Sequence, residues 1–174
     1  MSAKKQINIF LVEDNQVFTL ALKADIEAAF ANKPIAIQSF ETGEACMEKF
    51  KKDRPEVVIL DYNLNSKYPK AMDGIKILDW VKRENPETHV IMLTSEDSID
   101  IVLRSLKHGA SDYVVKSETK FKKINFSLTN IFKIMEATSD GKRYKRVIAG
   151  VVLCFAILVV GVVTIQIVNP GLLR

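Results

Sequence analysis

The order of this chain predicts an α/β fold: a doubly wound, five-stranded parallel sheet followed by one C-terminal transmembrane helix. Three observations carry the prediction. Short β-rich runs alternate five times with stretches of helical periodicity. Three of those runs are almost wholly apolar, as strands covered on both faces must be. Val147 to Val168 is then a 22-residue run without a charge.

Taken in order, Gln6–Val12, Ile35–Phe40, Val57–Leu60, His89–Leu93 and Asp112–Val115 read as strands. Pro34, Pro55 and Pro86 precede three of them, where the ring stops a helix arriving from upstream. Helical spacing fills the gaps at Gln16–Phe30, Gly43–Lys51, Gly74–Arg83 and Ser98–His108, with Thr42 and Ser98 as expected N-caps. A fifth helix is expected over Thr119–Glu136, where Phe121, Ile124, Leu128, Ile131, Phe132 and Met135 recur at helical spacing. Strict alternation implies right-handed crossovers, helices on both faces, and a ligand site outside the carboxyl ends of the strands.

The apolar run reaches about 33 Å as a helix, enough to cross a hydrocarbon core of about 30 Å. Twelve of its 22 residues are Val or Ile, which favour strand in water. In lipid the backbone must satisfy its own hydrogen bonds, so a helix forms. Lys142, Arg143, Lys145 and Arg146 precede it and place that side in the cytoplasm. The expectation is a single-pass protein of the cell (inner) membrane, its folded domain on the cytoplasmic side. Gly150, Cys154 and Gly161 lie near one helical face, which would permit two copies to pair. The predicted divisions are 1–137 for the folded domain, 138–146 for a basic juxtamembrane linker, 147–168 for the span and 169–174 for a short tail.

The formal charge of +4 hides an uneven distribution. Residues 1–115 hold 15 Lys/Arg against 18 Asp/Glu, whereas residues 116–146 hold nine against three. The excess gathers beside the apolar run, not on a recognition element, so it reads as a juxtamembrane collar and not a nucleic-acid surface. The N-terminus lacks the apolar core of a secretory signal. Two cysteines, Cys46 and Cys154, cannot make a disulfide framework and read as small packing residues in a reducing compartment.

Four of the five strand-like runs stop at residues with chemical reach: Glu13-Asp14, Asp61, Thr94 and Lys116. Each has an ordinary reading. Asp14 or Asn15 can cap the next helix, Asp61 can be a turn residue, and a strand-end Thr or Lys is commonly just exposed. In a parallel sheet, however, all five lie at one edge. Three carboxylates there form an all-oxygen set suited to Mg²⁺, one carboxylate can attack phosphorus, and an ammonium can neutralise charge on the phosphoryl oxygens.

In this order the residues resemble the receiver domain of two-component response regulators, of the chemotaxis-receiver type, over about residues 6–137. The resemblance implies the flavodoxin-like receiver fold and a role for each matching position. Glu13 and Asp14 match the acidic pair that holds Mg²⁺, and Asp61 matches the phospho-acceptor. Asn63 matches the position whose backbone carbonyl joins the metal shell. Thr94 matches the switch hydroxyl, Lys116 the phosphate-sensing lysine, and Tyr113 the aromatic that turns inward on activation. Asp73-Gly74 matches the turn opening the third helix. Asn63 and Glu96 match positions flanking the phosphoryl group, where side chains guide or block water.

Two departures stand out. The stretch between Asp61 and Gly74 carries Asn65 to Ala71, longer than the family's usual loop. Ser117 follows Lys116 where the family has proline in a cis bond; before serine, cis costs about 3–4 kcal/mol, so a trans bond is expected.

The implied function is a membrane-anchored, phospho-accepting receiver of a two-component or phosphorelay system. It would take a phosphoryl group from a histidine kinase or phosphotransfer protein onto Asp61, with Mg²⁺ as cofactor, and switch its binding to a membrane or cytoplasmic target. It would not be a turnover enzyme. Two alternatives stay open: a tethered adaptor that is never phosphorylated, and a haloacid-dehalogenase-like phosphatase. The latter places its nucleophile after the first strand with a second Asp two residues on, where this chain has Asn63 after strand three. No DNA-binding output module fits between Glu136 and the apolar run.

Overall fold

The computed structural model describes the backbone of residues 6–64, 72–95 and 98–168, and their side chains except at 139–147, 149–150, 155 and 157–168. The chain divides into two units, Met1–Thr129 and Asn130–Arg174.

In the first unit, β1 (Ile7–Val12), β2 (Ile35–Phe40), β3 (Val57–Asp61), β4 (His89–Thr94) and β5 (Asp112–Val115) form one sheet in the order β2-β1-β3-β4-β5. Every neighbouring pair is parallel. The helices between strands are α1 (Gln16–Ala29), α2 (Gly43–Asp53), α3 (Gly74–Glu84) and α4 (Ile99–Lys107). The strand order reverses between β1 and β3, which opens a crevice at the carboxyl ends of those two strands.

Register explains why β3 is apolar throughout. Val57–Asp61 is buried at all five positions because β1 and β4 flank it and helices cover both faces. Phe10, Val12, Val58, Leu60, Val90 and Met92 point to one side and pack with Cys46 and Phe50 of α2 and Ile77, Leu78 and Val81 of α3. The alternate residues Ile9, Leu11, Ile59, Ile91 and Leu93 are fully buried as well, as are Leu22 and Ile26 of α1 and Ile124 and Leu128. Burial pushes the Cys46 thiol up to about 12, so it packs as a small apolar group.

The caps are local chemistry. Thr42 Oγ1 accepts from the Ala45 amide at 3.3 Å, and Asp73 Oδ1 accepts from the Lys76 amide at 2.9 Å. Ser98 stands at the N-cap of α4 as expected, in an extended conformation, though its side chain makes no cap hydrogen bond.

The fifth helix departs most from the sequence reading. Expected to end at Glu136, α5 runs from Lys120 to Val168 as one element, so the expected linker at 138–146 has helical backbone. Its composition allows this: within 138–146 Gly141 is the one weak position, costing about 1 kcal/mol, and no proline intervenes before Pro170. In the second unit, Ile148, Val151, Val152 and Leu153 are 47–64% exposed. Among the described residues no helix is long and apolar enough to cross a membrane. The expected span falls mainly on side chains outside the description, as do the basic collar, Glu96, the lengthened loop at 65–71 and the tail.

Candidate functional site

The site is built where β1, β3, β4 and β5 end. Val12 pairs with Leu60, Asp61 with Leu93 and Thr94 with Val115. The residues next along each strand (Glu13, Asp61, Thr94 and Lys116) are therefore brought to one sheet edge by register alone. All but Lys116 are nearly inaccessible: Glu13 and Asp61 are 2% exposed and Thr94 0%.

Lys116 Nζ lies 2.7 Å from Glu13 Oε2 and 2.9 Å from Asp61 Oδ2, with its side chain 15% exposed. One ammonium thus bridges two buried carboxylates. Asp14 completes the acidic set: one oxygen from each of Glu13, Asp14 and Asp61 lies within 4.8 Å of the others. Asn15, not Asp14, caps α1, its side chain accepting from the Phe18 amide at 3.0 Å. The capping alternative for Asp14 therefore falls away. Asp61 is no helix cap either, since Asp73 holds that place on α3.

The electrostatics follow from burial. Desolvation raises the Glu13 carboxyl above its ordinary range, helped by the charge on Asp61 and opposed by Lys116 and the Asn15 amide. Desolvation likewise raises Asp61, reinforced by Asp14 and opposed by Lys116 and by the Asn63 backbone amide turned toward the carboxylate. Desolvation pulls the Lys116 ammonium down, but Asp61 and Glu13 together outweigh it and leave it above its ordinary value. Two buried acids share one lysine, with the Asp14 carboxylate beside them.

That imbalance is the test of fit for a divalent cation. A buried acceptor without a donor costs free energy unless something positive or protic meets it, and Asp61 Oδ1 has no hydrogen-bond partner among the described residues. Three hard oxygen donors within 4.8 Å, one of them unsatisfied, suit Mg²⁺.

The family model for the response regulator receiver domain matches residues 9–125. The chain belongs to the response regulator receiver domain family. Receivers are phospho-accepting signalling domains, not turnover enzymes. This chain is 30% identical over 111 residues to the transcriptional regulatory protein CseB of Streptomyces coelicolor, covering 64% of this chain and 43% of CseB. It is 26% identical over 144 residues to the transcriptional regulatory protein MctR of Rhizobium johnstonii, covering 83% of this chain and 60% of MctR. It thus spans less than two thirds of the length of these curated relatives. Its fold is like that of the signal receiver domain of a putative LuxO repressor protein from Vibrio parahaemolyticus, with a TM-score of 0.67 at 24% identity over 78% of this chain and 96% of that one.

Within this receiver the remaining sequence-predicted positions are placed as follows. The Thr94 carbonyl accepts from the Lys116 amide at 2.7 Å, tying β4 to the start of the β5–α5 loop. Tyr113 pairs with Met92 and packs half-buried against the core on the α2–α3 side. No cis peptide occurs among the described residues, so the Lys116–Ser117 bond is trans as expected.

Two contacts escaped the sequence reading, which names Gly74 only as part of the turn opening the third helix and does not name Phe18. Gly74 packs against the backbone just after Asp61: a Cβ on it would stand 2.5 Å from the Asp61 carbonyl oxygen and 2.8 Å from Tyr62 Cα. Phe18, on α1, sits beneath the site lysine, its ring centroid 5.0 Å from Lys116 Nζ. A glycine opening a helix hints at close approach. An aromatic four residues past the acidic pair gives no such sign.

Proposed function

We propose that Asp61 is the phosphoryl acceptor of this receiver and that Glu13, Asp14, Asp61 and the backbone of Asn63 hold Mg²⁺ when it binds. The observation that carries the reading is Asp61 itself: a buried carboxylate with one oxygen on Lys116 and the other unpartnered among the described residues. The bound ion would supply positive charge to the acidic pocket and to the incoming phosphoryl oxygens. Asp61 attacks phosphorus, a P–O bond forms to the carboxylate, and the P–N bond to a donor histidine or the P–O bond of acetyl phosphate breaks. Lys116, already within 3 Å of both carboxylates, transfers its charge from the free acid to the new phosphoryl oxygens. Thr94 and Tyr113 respond, and the change biases a pre-existing equilibrium between two surfaces.

The donor is a histidine kinase or phosphotransfer protein, and the readout is binding to a membrane or cytoplasmic target. The uncharged run Val147–Val168 moors the receiver to the cell membrane, with the receiver on the cytoplasmic side. Support comes from its length, from the basic residues before it, and from Ile148, Val151, Val152 and Leu153, which are exposed around most of a helical turn. Tethering raises the effective concentration at membrane-bound donors and targets. Pairing of two copies through Gly150, Cys154 and Gly161 is compatible with this arrangement.

Incubation of the full chain in detergent with acetyl phosphate and Mg²⁺ should give one base-labile, hydroxylamine-sensitive phosphoryl adduct, mapped to Asp61 and absent from Asp61→Asn. Labelling that survives this substitution, or turnover of a generic phosphomonoester, would count against the assignment. No labelling by any donor leaves the tethered adaptor.

A further inference from the structure

We propose that Phe18 is a positioning residue for Lys116: its ring face, braced by Phe121, holds the ammonium in place between Glu13 and Asp61. The inference rests on the phospho-acceptor reading above and deepens it.

The residues after the acidic pair form the first turn of α1, and Phe18 is half-buried there with its ring under the lysine. The Phe18 and Phe121 ring centroids lie 5.7 Å apart at 57°, in a tilted contact. Phe121 stands in the first turn of α5, just after the loop that begins with Lys116-Ser117. Its own ring carries Lys120 Nζ at 5.4 Å. Two aromatic rings thus join the helix on one side of the pocket to the helix that follows the lysine, with an ammonium on each.

A lysine side chain has four rotatable bonds and pays rotamer entropy to hold one geometry. Here two hydrogen-bond-length contacts orient its head, at 2.7 Å to Glu13 and 2.9 Å to Asp61, and the second goes to the carboxylate that loses its charge when it becomes an acyl phosphate. The Phe18 ring, unlike Asp61, is a neighbour of Lys116 that the reaction leaves unaltered. It attracts a cation through its quadrupole with or without a phosphoryl group, so it can keep the ammonium in the pocket while the anions rearrange. The loop leaving β5 makes such a restraint useful. Ser117 follows Lys116, is exposed, and keeps ordinary backbone freedom; its amide turns back onto the Val115 carbonyl at 2.8 Å. The pocket therefore fixes its lysine through a side-chain platform as well as through the backbone.

The test uses the full chain in detergent micelles with ¹³C-labelled lysine side chains, Lys116 being assigned by the signal lost in Lys116→Met. The ring current of Phe18 should shift the Lys116 ε-methylene resonances upfield. Phe18→Leu keeps the bulk but removes the π face, so it should abolish that shift and slow labelling by acetyl phosphate about three- to tenfold. Mg²⁺ affinity should stay unchanged. Phe18→Trp should restore both signals. In the Lys116→Met background, Phe18→Leu should have no further effect on the residual rate. An unshifted Lys116 resonance in the parent chain, or a loss in Phe18→Leu that Trp does not rescue and that persists without Lys116, would overturn the proposal. If the resonance is shifted but no donor labels the chain, the contact stands and the phospho-acceptor reading fails instead.

Discussion

Gly74 presses against the backbone of Asp61: a Cβ at position 74 would come within 2.5 Å of the Asp61 carbonyl oxygen. The Gly74 amide also donates to the Tyr62 carbonyl at 3.0 Å, so α3 begins almost on top of the strand end that carries the acid. Any side chain at 74 must push β3 and α3 apart, because both obstructing groups are backbone. Gly74→Ala should therefore lower stability by about 1–3 kcal/mol, the usual cost of overpacking. It should also slow phosphoryl labelling, because the displaced strand end carries Asp61. Urea unfolding paired with acetyl phosphate labelling checks both. An alanine variant with unchanged midpoint and rate would show that the close approach relaxes without consequence.

The acids impose a pH dependence whose sign follows from their direction of shift. Glu13 and Asp61 hold protons more tightly folded than unfolded. They therefore contribute stability that is complete below the ordinary carboxylate range, at about pH 4, and is lost as pH rises through their raised values. Lys116, also raised, contributes stability that is present below its ordinary value and lost only at strongly alkaline pH. Metal-free protein should thus lose midpoint temperature on passing from about pH 4 to pH 7, other groups being equal. Mg²⁺ should stabilise most where the acids are charged, by about 2.7 kcal/mol at a hundredfold excess over Kd. Calorimetry with Mg²⁺ and with chelator at both pH values measures this. A larger Mg²⁺ effect at pH 4 than at pH 7 contradicts the acidic-pocket assignment.

Lys116 is the counter-ion of two buried acids, so its removal tests the same balance from the other side. Lys116→Met leaves Glu13 and Asp61 facing each other with no cation between them. A buried charge left unpaired costs about 3–5 kcal/mol, an upper figure here because the acids can take up protons. Metal-free Lys116→Met should be clearly less stable than the parent at pH 7, with the gap closing as pH falls or Mg²⁺ is added. Thermal melts across pH decide it: a gap that ignores both pH and Mg²⁺ would mean Lys116 serves packing alone.

The edge of the sheet was legible because chemistry and periodicity coincide there. Four of the five apolar runs end on a residue with chemical reach, and a parallel sheet lines such ends up, so the sequence alone puts Glu13, Asp61, Thr94 and Lys116 together. Relations between helices were not legible. Phe18 and Phe121 are 103 positions apart, and a half-buried aromatic on an amphipathic helix looks like any core residue. The choice between Asp14 and Asn15 as the cap of α1 also escaped, because both side chains suit that role and only backbone geometry separates them. The extension of α5 through 137–146 was missed for the opposite reason. Glycine and a cluster of charges resemble a linker, yet neither breaks a helix already propagating, for which the cost per residue is small.

The two cysteines test the proposed mooring. Cys46 is buried on α2 with its thiol pushed up to about 12, so it carries almost no thiolate at neutral pH and should resist maleimide until the receiver unfolds. Cys154 is exposed on α5 and lies within the uncharged run. In water it should react readily; in a bilayer the same exposure would face lipid, where a charged, membrane-impermeant maleimide cannot reach. Full-length protein in sealed inner-membrane vesicles should therefore label at neither cysteine, whereas SDS-denatured protein should label at both. A Cys154→Ser variant identifies which thiol responds. Modification of Cys154 in intact vesicles, at the rate seen with a peptide thiol in buffer, would place residue 154 in water and remove the span.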